Sequence, residues 1–135
     1  MIASIALLTA GSLVFASAAV QHLNTVKSRG LTFVMTDRST PLGRDGFAGR
    51  AARALQNNLE SAGMVIPAAT ILTVAGAQDP LTAGATLAYA AARVGFTLSY
   101  WSGINKARSL FWGLGMVMIV VLTLQAVLAV VTSRT

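Results

Sequence analysis

Gly49-Arg50-Ala51-Ala52-Arg53-Ala54-Leu55-Gln56-Asn57-Asn58-Leu59-Glu60 opens into an apolar run that reaches Gly76. Arg53, Asn57 and Glu60 are spaced by four and then three residues, so on a helix they share one face. Ser61 to Gln78 carries no charged residue, which gives a helix of membrane-spanning apolarity with a polar stripe at its entrance. Charged and amide groups at the mouth of such a helix are costly unless they bind one another or a ligand. This stretch decides the fold class: an all-α integral membrane protein.

Composition agrees. The chain has 135 residues, 55% of them hydrophobic and only 10% charged, with a mean hydropathy of +0.69. Soluble domains carry about one quarter charged residues. The net charge of +6 comes from ten Lys/Arg against four Asp/Glu. The bases cluster in two connections, which fits membrane topology and anionic headgroups better than nucleic acid. With no cysteine, the chain has no disulfide, thiolate metal site or cysteine nucleophile of its own; no metal is expected, and any thiol chemistry belongs to a bound ligand.

Four spans are predicted in one domain over 1–135, at about 2–22, 47–76, 81–103 and 109–132. The first charge is Lys27, so the N-terminal apolar run is long enough to cross a bilayer. Ala16-Ser17-Ala18 resembles a signal cleavage site, but no Lys or Arg precedes the run, and a retained helix is the expected reading. His22, the only histidine, falls at its predicted end, in an interfacial or packing role. A polar connection from Leu23 to Gly49 follows, with turn residues including Pro41. Within it, Gly30 to Met35 is apolar enough to lie on the membrane surface or cover a site. Pro67 is expected to kink the second helix or leave a carbonyl unpaired, Asp79-Pro80 suits the start of the third, and Ile104 to Arg108 is predicted as a second basic loop. Lys and Arg occupy the first and third connections and are missing from the second. The positive-inside rule then places both termini outside and the basic loops in the cytoplasm. Small residues in the first and third helices favour close packing, and no inverted repeat points to a transporter.

Two charges fall where lipid would surround them, Glu60 and Arg93. In antiparallel helices of equal rise, residues share a depth when their numbers have a constant sum. Glu60 with Arg93 and Arg53 with Tyr100 have the same sum, so one register matches both, and a Glu60–Arg93 ion pair is expected. Arg93, Phe96, Thr97 and Tyr100 share a helical face. The resulting pocket carries Arg53 and Arg93, with Arg50 and Arg108 nearby, Glu60 as the anion, and Gln56, Asn57 and Tyr100 as neutral partners. This set suits a small zwitterion with several carboxylates and an amine. The alternative is a polar network that glues helices together. Asn58, off the stripe, is read as structural.

Arg53-Ala54-x-x-Asn57-x-x-Glu60, with Pro67 downstream, resembles the second-helix signature of the MAPEG family, the membrane-associated proteins of eicosanoid and glutathione metabolism. Arg93-x-x-Phe96-x-x-x-Tyr100, then Trp101-x-Gly103-Ile104-x-x-x-Arg108-Ser109-Leu110-x-Trp112, is similar to the third helix and following loop of its bacterial members. The resemblance implies a homotrimer of four-helix subunits in a bacterial inner membrane, with glutathione bound between subunits near the cytosolic side. It assigns glutathione contacts to Arg53, Gln56, Asn57, Glu60, Arg93 and Tyr100, and thiolate activation to Arg108, whose pairing with Ser109 resembles that at the base of the fourth helix in the family's prostaglandin synthases. Phe96 stands where several members have a tyrosine, Ser61 where leukotriene synthases have one, and Gln56 where prostaglandin synthases have an arginine. The expected activity is glutathione transfer or peroxide reduction on a lipophilic substrate, arriving from the bilayer between the first and fourth helices. A non-catalytic lipid- or ligand-binding protein of the same fold is the alternative.

Overall fold

The computed structural model describes residues 2–37 and 43–133. Arg38, Pro41 and Arg134, read above as parts of the first connection and the C-terminal flank, lie outside them. Four long helices and one short one make up the chain: α1 (Ser4–Arg29), α2 (Leu31–Val34), α3 (Gly46–Val74), α4 (Pro80–Ser102) and α5 (Asn105–Thr132). No strand occurs among the described residues.

The helix ends follow from local chemistry. α1 continues seven residues past His22 because Leu23 to Val26 stay helical and Lys27 and Arg29 in its last turn complement the helix dipole. Gly30, at φ +84°, stops it. His22 therefore sits within α1, exposed, and not at its end. The apolar segment after Gly30 forms the single turn α2, with the Arg29 guanidinium 5.7 Å above the Phe33 ring. α3 starts tightly. A side chain at Gly49 would collide with the Arg44 carbonyl, so only glycine fits there. α3 continues unbroken past Pro67, which brings no N–H to the carbonyl one turn back.

Both α3 and α4 end in the same device. Gly76 (φ +67°) and Gly103 (φ +78°) take the left-handed conformation. The next N–H groups, of Ala77 and Ile104, return to the carbonyls of Leu72 (3.0 Å) and Ser99 (2.9 Å). Asp79 caps α4 by accepting from the Thr82 N–H at 2.9 Å, with Pro80 in the first turn. After Gly103 only Ile104 intervenes before α5. The predicted basic loop at 104–108 is thus corrected: Lys106 and Arg108 belong to the first turns of α5.

Around the bundle the contacts run α1–α3, α3–α5, α5–α4 and α4–α1, with α3 and α4 also touching across the middle. α1 and α5 are not in contact. The core is thin and small-residue rich: Ala3, just before α1, and Ala6 and Ala10 within it cluster with Val65, Ala69 and Leu72 of α3, and Leu122 of α5 completes the layer. Large apolar side chains point outward instead, Phe15 at 76% and Leu110 at 71% exposure among them. A soluble protein does not expose such faces around its whole girth; lipid suits them. By length and composition α1 and α5 qualify as membrane spans, with mean hydropathies of 1.6 and 2.7.

Candidate functional site

The entrance stripe of α3 opens onto a cavity of about 450 Å³ at the basic end of the bundle. α3 contributes Arg53, Gln56, Asn57 and Glu60; α4 contributes Phe96 and Tyr100; α5 contributes Arg108, Ser109 and Trp112. Each group comes from one helical face, which is why spacings of three and four residues found them. Six of the seven residues singled out from sequence line this space; Arg93 does not.

The wall is ordered by its own contacts. Gln56 donates Nε2 to Glu60 Oε1 at 3.0 Å, and Arg53 donates Nη1 to the Arg44 carbonyl at 3.2 Å. The Arg108 guanidinium lies 4.9 Å above the Tyr100 ring. Tyr100 in turn meets Phe96 edge-on, ring centres 5.3 Å apart. These rings hold Arg108 on an aromatic floor beside the cavity, and among the described residues no carboxylate is in an ion pair with it.

Arg93 faces the other way. It is 2% exposed and donates Nη2 to the Asn57 carbonyl (3.3 Å), Asn57 Oδ1 (3.0 Å) and Asn58 Oδ1 (2.5 Å). Its guanidinium also lies 4.5 Å above the Phe96 ring. The expected Glu60–Arg93 ion pair does not form; among the described residues Arg93 has only amide and carbonyl acceptors. Depth matching from sequence carries no information on the direction a side chain takes round its helix. Glu60 lies two residues from Asn58, about 200° round α3, so it cannot share Asn58's partner. Gly115 completes the slot, its missing side chain leaving room for the Arg93 stem on α5.

Asn58, read as structural, is the buried hub. It donates Nδ2 to Ser17 Oγ (2.8 Å) on α1 and Thr97 Oγ1 (3.1 Å) on α4. Thr97 closes the circuit by donating to the Arg93 carbonyl at 2.9 Å. A fully partnered network of this kind is what buried polar groups in lipid require.

Ser109 and Trp112 entered the sequence reading only as parts of a motif, yet they line the cavity. Their signal was spacing: 108, 109 and 112 fall on one face of α5. Arg50, placed near the pocket from sequence, instead donates Nε to the Trp101 carbonyl at 3.3 Å and lines a neighbouring cavity.

Within one subunit α1 and α5 do not meet, so the expected cleft between the first and fourth long helices does not form there. The groove lies between α3 and α5. Two apolar cavities of about 270 and 390 Å³ follow that seam and share Ile71 and Val130. Met64 and Pro67 line its near end, one turn beyond Glu60.

Comparison with curated proteins and with solved structures gave no match. Comparison with family models gave the MAPEG family over residues 1–128. With nearly its whole length matched, and apolar helices suited to a bilayer, the chain belongs to the MAPEG family of membrane proteins.

Proposed function

We propose that the protein is a glutathione-dependent transferase or peroxidase of the bacterial inner membrane, acting on lipophilic substrates as a homotrimer of four-span subunits. The observation that carries this reading is the convergence of Arg53, Gln56, Asn57, Glu60, Tyr100 and Arg108 on one open cavity. Family members commonly use glutathione, and the donor set fits it. Arg53 offers a guanidinium fork to a carboxylate. Asn57 offers its amide N–H groups, since its oxygen is already engaged by Arg93. Glu60 keeps one carboxylate oxygen beyond its bond from Gln56 and suits an ammonium.

When bound, glutathione supplies a thiol, and the nucleophile is its thiolate. Arg108 is the group assigned to lower that thiol's pKa by proximity of charge. A fall of one unit needs about 1.4 kcal/mol of differential stabilisation, within reach of one uncompensated guanidinium. Tyr100, beneath Arg108, sets where that charge sits and adds a hydroxyl. The α3–α5 groove gives a lipophilic substrate an apolar approach to the same cavity. The exposed outer edge formed by Gln56 and Glu60 leaves room for a neighbouring subunit to close the site.

One feature favours the alternative, a non-catalytic ligand-binding member: Phe96 presents a ring where a hydroxyl would add a donor. Titration calorimetry with glutathione on the purified protein decides between them. Saturable heat and thermal protection are expected, and Arg108→Ala should retain both while losing thiolate absorbance and conjugation of an aryl halide. No heat and no protection would favour the non-catalytic reading; unchanged turnover in Arg108→Ala would remove it from the chemistry.

A further inference from the structure

Beside the first cavity, at the same end of the bundle, lies a second of about 360 Å³. Arg44, Arg50, Arg53 and Arg108 face it, against one acid, Asp45. Among the described residues none of these arginines is in an ion pair. Arg50 uses Nε on the Trp101 carbonyl and Arg53 one Nη1 N–H on the Arg44 carbonyl. A guanidinium carries five donors, so most of those in this cavity are uncommitted.

The backbone adds positive potential in the same place. The cavity sits at the starts of both α3 and α5, with Gly46 and Asn105 on its wall. Asp45 occupies the N-cap position of α3 without a capping hydrogen bond, the start of α5 has no acid, and neither first turn holds one. Cations stand there instead: Lys106 and Arg108 in α5, Arg50 early in α3. Bases at a helix N-terminus repel the dipole. An anion seated between the two starts would relieve that repulsion and accept from the guanidinia at once.

Position narrows the anion. Arg50 is held above the Phe47 ring at 5.7 Å and against the glycine turn at Gly103, next to Trp101. Aromatic residues at the ends of spans mark the headgroup level of a bilayer. The anion present there in quantity is a phosphodiester, and basic pockets between spans take such headgroups.

We propose that this cavity is a phosphate-binding site that takes the headgroup phosphodiester of an acidic phospholipid, with Arg44 and Arg50 as the residues particular to it. It is separate from the α3 stripe, although Arg53 and Arg108 border both. It does not depend on the transferase reading, and its test needs no turnover.

The test compares thermal unfolding of the protein in phosphatidylcholine nanodiscs with and without phosphatidylglycerol. The acidic lipid should raise the wild-type midpoint by a few degrees. The rise should vanish in Arg44→Gln/Arg50→Gln and persist in Lys27→Gln/Arg29→Gln, which removes the same charge at the same end but outside the cavity. If the double variant fails to fold, Arg44→Gln alone serves, because the Arg44 backbone and not its side chain holds Arg53; it should lose part of the rise. A parallel titration in detergent with inorganic phosphate, against chloride at equal ionic strength, separates the sources. Phosphate protection without a lipid effect would replace the lipid by a soluble phosphate compound and overturn the headgroup assignment. Equal loss of the rise in both charge variants, or no rise at all, would overturn the site.

Discussion

Arg93 can donate hydrogen bonds but cannot accept one, and this fixes the chemistry of its neighbour. With Arg93 on its Oδ1, Asn57 must turn its Nδ2 toward the cavity it lines. The geometry gives Arg93 a positioning role, since it sets the direction of the amide that lines the cavity. Asn57→Asp separates the two duties. It keeps an acceptor for Arg93 and removes the amide donors, so the unfolding midpoint should hold while glutathione affinity falls by about tenfold. Arg93→Met should do the reverse of a ligand-site change. It removes the charged donor from the buried Asn58 Oδ1, at about 1–3 kcal/mol, and from two part-buried oxygens of Asn57, so a loss of thermal stability in detergent is expected. Wild-type stability with lost glutathione binding would return Arg93 to the ligand set.

At the scale of elements, the connection between α3 and α4 is held by Asp79. The Thr82 side chain and N–H, acting together, hold its carboxyl below the usual carboxylate range, and Gln125 of α5 donates to the same Oδ1 at 3.2 Å. A group whose pKa is lower folded than unfolded stabilises the fold above the unfolded value, about 3.9, and that contribution is lost as pH falls through the folded value. Between pH 5 and pH 3 the wild-type unfolding midpoint should therefore drop more than that of Asp79→Asn, which keeps an oxygen for the Thr82 N–H but does not titrate. Parallel curves for the two proteins would remove Asp79 as the source. The same cap shows what was legible beforehand. Asp79-Pro80 and the glycines at 76 and 103 announce ends through chemistry local to a few residues. Charge read as a loop signal misplaces the helix boundaries near Arg29 and Asn105, because Lys27 and Arg29 favour a helix end and Lys106 and Arg108 are tolerated at a helix start. The site divides along a similar line. Helical spacing groups Arg53, Asn57 and Glu60, but which way a neighbouring helix turns its Arg93 depends on azimuth, set by Ser17, Thr97 and Gly115 on three other helices. No single segment carries that information.

The whole molecule is a bundle whose charged groups, Asp79 apart, gather toward one end among the described residues, with a dry seam leading away from it. Below Glu60, α3 and α5 face each other across Met64, Pro67, Ile71, Thr123 and Val127. A membrane-dissolved substrate moving along this seam meets no charged group until it reaches the cavity of Arg53 and Arg108. Val127, 53% exposed, sits on the lip of the groove, so Val127→Trp fills the groove without entering the core. If the seam is the approach route, that variant should raise KM for a long-chain apolar electrophile several-fold while leaving kcat/KM for a small water-soluble aryl halide unchanged, since the latter enters from the polar end. Bulk at this lip would act differently if the seam were instead buried between subunits: the mass by light scattering would change and both substrates would lose turnover together. Equal loss on both substrates at unchanged mass would sink the route altogether, because it would place the effect of Val127→Trp on the cavity and not on the path to it.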